Sequence, residues 1–183
     1  MQGTRVRQAS QCLALCLLLP GLGCARVLYN FGEVEPGRVY RAGQPSPLFL
    51  RWLTRREGIR TLVNLRGKTQ GFESAFAARH GLRVHSFSLS RRRPPTDDEV
   101  ERFLAILQDP ANHPILVHCR NGADRTGYMI GIYRVTVDGW SAERAAREMR
   151  RYFQLGTLNP VPQEVVRERA ADRPPHDPEG VSP

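Results

Sequence analysis

The stretch Val117-His118-Cys119-Arg120-Asn121-Gly122-Ala123-Asp124-Arg125-Thr126-Gly127 gathers residue types that can hold and attack an anionic centre. Cys119 supplies a thiol. A helix N-terminus and a nearby cation stabilise the thiolate, which is the nucleophilic form. Arg125 closes a Cys-x5-Arg spacing. Its planar fork matches two oxygens of one anion and keeps its proton. Thr126 brings a hydroxyl that can donate a hydrogen bond to the thiolate or to a departing sulfur. Gly122 lets the backbone turn inward without a Cβ clash. The backbone N–H groups of Arg120, Asn121, Gly122, Ala123, Asp124, Arg125 and Thr126 can then cradle the anion. Nucleophile, clamp and charge stabilisation thus lie in one short run. The bland alternative makes Cys119 a buried strand-end residue and Arg125 a surface cation, and leaves the glycines and the placement unexplained.

Cysteine usage agrees. Cys12, Cys16 and Cys24 lie in or beside an N-terminal apolar segment, so Cys119 is alone in the part expected to fold. A lone thiol makes no intrachain disulfide there, which excludes a disulfide-stapled scaffold.

The surrounding elements must place this run. Pro114-Ile115-Leu116-Val117-His118 is a short apolar strand of the kind buried in a parallel sheet. Thr126–Val137 reads as the helix that follows the loop. Upstream, Arg38–Arg41 predicts a first strand and Gly43–Ser46 a turn. Pro47–Glu57 reads as a helix with Leu48, Trp52 and Leu53 on one face and Gly58 past its end. Ile59–Leu65 is a buried strand. Phe72–His80 is a helix closed by Gly81, and Leu82–Leu89 a further strand. Thr96 and Glu99 form a capping box for a helix to about Gln108, where Asp109-Pro110 stops it. Ser141 caps a helix to Phe153, and a short helix follows Pro160 and Pro162. Strands alternating with helices predict a single α/β domain over 26–170. Its central, mostly parallel sheet is flanked by helices, with the anion loop between a central strand and a helix.

The string His-Cys-x-x-Gly-x-x-Arg-Thr-Gly, after an apolar strand and before a helix, resembles the signature of cysteine-based protein tyrosine and dual-specificity phosphatases. The resemblance covers about Val39 to Phe153. Val39-Tyr40-Arg41-Ala42-Gly43-Gln44-Pro45 with Asn64-Leu65-Arg66 resembles the small bacterial and fungal dual-specificity-like branch. It implies attack of Cys119 on a phosphate monoester, a phosphocysteine intermediate and hydrolysis by water, with no metal and no cofactor. The implied partner is a phosphorylated protein or a small phosphate ester, such as an inositol phosphate.

Enzymes of this family protonate the leaving group with an upstream aspartate. Ser90-Arg91-Arg92-Arg93-Pro94-Pro95 holds no acid. Asp97 and Asp98 follow it, where carboxylates also favour a helix N-terminus. Asp124, directly before the arginine, is the rival donor. Such an acid also occurs in phosphatases that resemble phosphoinositide-active bacterial enzymes. His118 is expected to orient the loop, while Arg41 and Arg66 are candidates for the pocket. Two other functions fit the loop: a phospho-ligand-binding module with weak catalysis, and a rhodanese-like sulfurtransferase. The His before Cys119 and the Arg-Thr-Gly ending speak against the second.

The chain of 183 residues carries a formal net charge of +9, nearly all from arginine, with Lys68 the only lysine. Arginine can enrich a cleft in anionic substrate or sit on a solvated surface. Zinc-finger spacings and aromatic stacking motifs are missing, so a nucleic-acid partner is not expected. Residues 1–25 carry a basic start, the apolar run Cys12–Leu19 and the small residues Gly23-Cys24-Ala25, the order of a secretory signal peptide. An exported protein of the periplasm or cell envelope follows. Cys24 adds possible attachment to the membrane by lipidation. Residues 171–183 read as a disordered proline-rich tail.

Overall fold

The computed structural model describes residues 28–90, 93–152 and 161–171. The signal segment 1–25, Arg91 and Arg92 of the arginine run, and the tail from Asp172 lie outside the described residues.

Five strands form one sheet in the order β1-β2-β5-β3-β4. They are β1 (Gly32–Glu35), β2 (Val39–Ala42), β3 (Thr61–Asn64), β4 (Arg83–Ser86) and β5 (Ile115–His118). The pairs β2–β5, β3–β5 and β3–β4 are parallel, and β1 pairs antiparallel with β2. The mostly parallel sheet expected from the sequence is present, and β5 is its centre. β1 was not expected. It is an edge strand joined to β2 by a hairpin at Pro36-Gly37, and its register slips between Glu33 and Glu35. A four-residue bulged edge strand leaves too little alternation to read.

Six helices among the described residues flank the sheet: α1 (Pro47–Arg56), α2 (Gly71–His80), α3 (Asp97–Gln108), α4 (Asp124–Thr136), α5 (Ala142–Arg151) and α6 (Val161–Ala171). Their punctuation follows the sequence. Ser46 caps α1 with Pro47 at its first turn, Gly81 ends α2 in the left-handed conformation, Ser141 caps α5, and Thr96 and Glu99 form the capping box of α3. The helix after the anion loop starts earlier than expected, at Asp124, so Arg125 and Thr126 belong to its first turn. The inner face of α1 also differs. Phe49, Leu50 and Leu53 are buried, Trp52 is half-buried, and Leu48 is 78% exposed. Tyr29 stacks on Phe49 at 4.0 Å and bonds the Ser46 hydroxyl, which fixes the rotation of α1.

Side chains alternate across each strand. On one face Val39, Val63, Ile115 and Val117 pack under α3, α4, α5 and α6. On the other, Tyr40, Leu62 and Leu116 pack under α1 and α2. The same alternation aims Arg41 at the first face and His118 at the second. α4 is buried on every side from Thr126 to Val135; it is largely apolar there, and its one charged residue in that stretch, Arg134, is paired with Asp138 and Glu148.

Candidate active site

Residues 119–123 leave the carboxyl end of β5 and run directly into α4. Cys119 is 2% exposed and is the cysteine among the described residues. Arg125 and Thr126 follow in the first turn of α4. Arg125 Nε and Thr126 Oγ1 are both buried without a hydrogen-bond partner among the described residues. A buried donor left unmade is costly. Neither is satisfied within the described residues, which leaves both available to a bound oxyanion or to the Cys119 sulfur.

Gly122 has φ +68°, and a Cβ there would lie 2.6 Å from Ala42 C and Gly43 N. The loop can close against β2 only with glycine at this point. Gln44 N donates to Arg120 O at 3.0 Å, and Asn30 Nδ2 donates to Asn121 O at 3.1 Å. These bonds tie the loop from outside.

Two buried groups hold it from beneath, one on each face of the sheet. Arg41 is fully buried. It donates from Nη2 to Gly122 O at 2.9 Å and lies 3.8 Å from the centre of the Tyr152 ring. Burial lowers its proton affinity from the usual arginine value, while the nearby charges of Glu148 and Cys119 act the other way. On the opposite face, fully buried His118 Nε2 meets fully buried Glu73 Oε1 at 3.0 Å. Gln44 Nε2 donates to Glu73 Oε2 at 2.6 Å, and Arg66 Nη1 donates to Gln44 Oε1 at 2.6 Å. Burial alone would raise the Glu73 carboxyl. The hydrogen bond and charge of His118, the Gln44 bond and the Arg66 charge outweigh it and hold Glu73 below its ordinary value. His118 is thus anchored by Glu73 directly before the loop, while Arg41 bonds Gly122 of the loop and Arg66 reaches it through Gln44, by contacts the sequence did not specify.

The flank bearing the candidate acids is built differently. Tyr128, on α4, donates to Ser90 O at 3.1 Å, and its hydroxyl lies in the field of Arg125, Glu99, Cys119 and Arg93. Burial and those carboxylate and thiol charges push its phenol above the ordinary value. Arg93 and Thr96 are exposed. Asp97 stands at the start of α3 with its side chain 77% exposed, and it pairs with Arg169 of α6. Asp98 is exposed beside it. Asp124 is half-buried at the start of α4, next to Arg125, without a side-chain partner among the described residues. The anion-loop candidates from Cys119 to Thr126 thus share one place, while Asp97 is held by another helix.

Residues 30–167 match the family model described as a DSP-PTPase phosphatase fused to NAD+ kinase. The chain belongs to the DSP-PTPase phosphatase family. Relatives agree. "Inositol diphosphatase DSP3" of Arabidopsis thaliana is 32% identical over 130 residues, covering 67% of this chain and 61% of the relative. The solved catalytic core of the PP-IP phosphatase SIW14 of S. cerevisiae superposes with a TM-score of 0.68 at 26% identity, covering 75% of this chain and 83% of that one. TpbA of P. aeruginosa superposes with a TM-score of 0.63 at 25% identity, covering 78% and 91%. The chain spans 50–63% of the length of the first curated relatives it matches.

Glu73, Asn30, Tyr128 and Tyr152 were not foreseen. Glu73 had a readable signal, because it falls on the inward stripe of α2 with Ala77, where an acid needs a buried partner. Asn30 takes φ +51° to reach two carbonyls, a conformation without a sequence signature here. Among the described residues no group of His, Cys, Asp and Glu could hold a metal, and no helix is long and apolar enough to cross a membrane.

Proposed function

We propose that this protein hydrolyses phosphate monoesters and the phosphoanhydride bond of diphosphates through a phosphocysteine at Cys119. The thiolate sulfur attacks phosphorus, the bond from phosphorus to the leaving oxygen breaks, and that oxygen takes a proton. Water then attacks the phosphocysteine, releasing inorganic phosphate and the thiolate. Arg125 and the loop N–H groups bind the equatorial oxygens in both steps. Thr126 donates to the departing sulfur. The observation that carries this reading is the pair of buried, unpartnered donors, Arg125 Nε and Thr126 Oγ1, in the helical turn that follows Cys119.

Asp124 is the proton donor in this reading. It adjoins the clamp arginine without a side-chain partner among the described residues, whereas the Asp97 side chain is turned to Arg169 of α6. The substrate class is a multiply charged phosphate, with an inositol diphosphate favoured over a phosphoprotein. Two facts support it. Relatives carry the name inositol diphosphatase, and no acid stands in the described part of the stretch before α3. When a diphosphate is cleaved the leaving group is itself a phosphate, which needs little protonation. The sulfurtransferase reading gains nothing from the family match.

Hydrolysis of p-nitrophenyl phosphate and of a diphosphoinositol phosphate in EDTA, beside Cys119→Ser, tests the proposal. Turnover of both that the serine variant abolishes is expected. A folded wild-type protein that binds but does not turn over either would make it the phospho-ligand-binding module.

A further inference from the structure

A second concave surface lies away from Cys119. It is a groove of about 710 Å³ along the outer side of α1, reaching the last turn of α2. Ile59, Arg60 and Leu82 line it, and these residues directly precede β3 and β4. The anion loop leaves the opposite end of β5, which runs parallel to β3. The groove is therefore at the other end of the sheet from the catalytic residues.

Its chemistry is one-sided. Arg51 and Arg55 of α1, Arg60 before β3 and Arg79 of α2 all line it, and no acidic side chain does. None of these four guanidiniums has an ion-pair or hydrogen-bond partner among the described residues. Other arginines of this protein are treated differently: Arg134 is paired with both Asp138 and Glu148. Between the cations lie apolar side chains. Leu48 is 78% exposed at the rim, Ile59 is buried at the floor, and Phe76 and Leu82 are half-buried. An exposed leucine beside unpaired arginines in a concave surface is the mixture that marks a protein contact.

We propose that this groove docks an acidic segment of a partner protein that also carries apolar side chains. Guanidinium forks match carboxylates in pairs, and the leucine and phenylalanine match the apolar side chains between them. The distance from Pro47 to Arg55 along α1 is about 12 Å at the helical rise. An extended segment of about four residues covers it. A free polyanion would leave the apolar lining unused, and a flat anionic membrane does not enter a groove. The proposal stands independently of the catalytic reading.

The test is fluorescence anisotropy of the full chain with a fluorescein-labelled Glu-Leu-Glu-Glu-Leu-Glu peptide. Saturable binding is expected. Arg51→Glu with Arg55→Glu should weaken it at least about tenfold, since both substitutions reverse a contact charge. The same double variant should gain affinity for Lys-Leu-Lys-Lys-Leu-Lys. Leu48→Ser should weaken binding severalfold. All of these variants should keep wild-type hydrolysis of p-nitrophenyl phosphate, which also shows that they fold. Four results would overturn the proposal. The peptide fails to saturate; orthovanadate displaces it while the double variant binds normally, placing it in the catalytic cleft; a Glu-Ser peptide binds equally well, leaving only a cationic field; or phosphatidylserine vesicles bind in a manner the double variant abolishes and the peptide does not compete for, making the surface a membrane contact.

Discussion

The anion loop and the segment leading into α3 meet at Tyr128, but the protein builds them by opposite means. The loop is gripped from both faces of the sheet, by Arg41 on one side and on the other by Gln44, which is itself bonded to the Glu73 that anchors His118. Its glycine admits no side chain. The segment before α3 is exposed at Arg93, Thr96, Asp97 and Asp98, and its surface contacts are a capping box and single-residue ion pairs. The difference follows the chemistry asked of each. Stabilising a transition state needs donors that do not reorganise as charge develops. In the proposed reading the proton donor Asp124 also stands at the start of α4, so the exposed segment holds no group that the reaction needs in a fixed place. The comparison predicts that rate is concentrated in the gripped half.

The largest loss should come from Arg125. Arg125→Ala should lower kcat by about 10³-fold or more, since removing one preorganised donor already costs about 10²–10³. Arg125→Lys should recover little, because a point charge cannot replace the fork. Both should be read by kcat on p-nitrophenyl phosphate, with binding of orthovanadate measured separately. A lysine variant near wild-type rate would break the assignment of the clamp.

Asp124 comes next. Asp124→Asn should cost about 10²-fold on an alkyl phosphate monoester, whose leaving group is poor. On a diphosphoinositol substrate the loss should be several times smaller. Equal losses on both would show that Asp124 shapes the loop and does not donate a proton. A loss confined to Asp98→Asn would move the donor to the exposed segment and reverse the comparison between the two halves.

Much of this was legible because the anion loop is continuous in sequence. Cys119, Gly122, Arg125 and Thr126 do their work within one turn from a strand to a helix, and local spacing specified them. The caps at Ser46, Thr96 and Ser141 are equally local. What was missed is assembled across the chain. Glu73 reaches His118 from forty-five positions away, and Asn30 reaches Asn121 from ninety-one. Arg41, Gln44 and Arg66 stood within the family-like strings Val39–Pro45 and Asn64–Arg66. Only the alternation of β2 and the pairing of β3 with β5 show what they hold. The phase of α1 was misread because the aromatic residues Tyr29 and Phe31, in a segment without a strong pattern, draw Phe49 inward.

Glu73 offers a smaller effect with a distinctive pH dependence. Glu73→Ala leaves His118 Nε2 and Gln44 without their acceptor, which should cost about 1–3 kcal/mol of stability. It should also lower kcat more than it raises KM, since the loop loses its orientation. The carboxyl is held below its ordinary value of 4.5 in the folded protein. Its contribution is therefore fully present above that value and is lost as pH falls through the lower folded value. Thermal melts from neutral pH down to the acid range should show Glu73→Gln losing less stability than wild type below about 4.5. Parallel curves would mean that Glu73 is not ionised in the fold.

Asp97 supplies the smallest effect and the sharpest control. Its side chain is 77% exposed, and its partner Arg169 is itself partly solvated. Exposed ion pairs contribute about 0–1 kcal/mol. Asp97→Asn should leave the rate on both substrate types within about a factor of three, and should lower the melting temperature by no more than the loss of one surface pair allows. Arg169→Ala should then match it. If Asp97→Asn instead costs activity on the alkyl monoester while Arg169→Ala does not, the ion pair is not the role of this carboxylate. The exposed half would then own the proton, and the loop would be a phosphate cradle without its own acid.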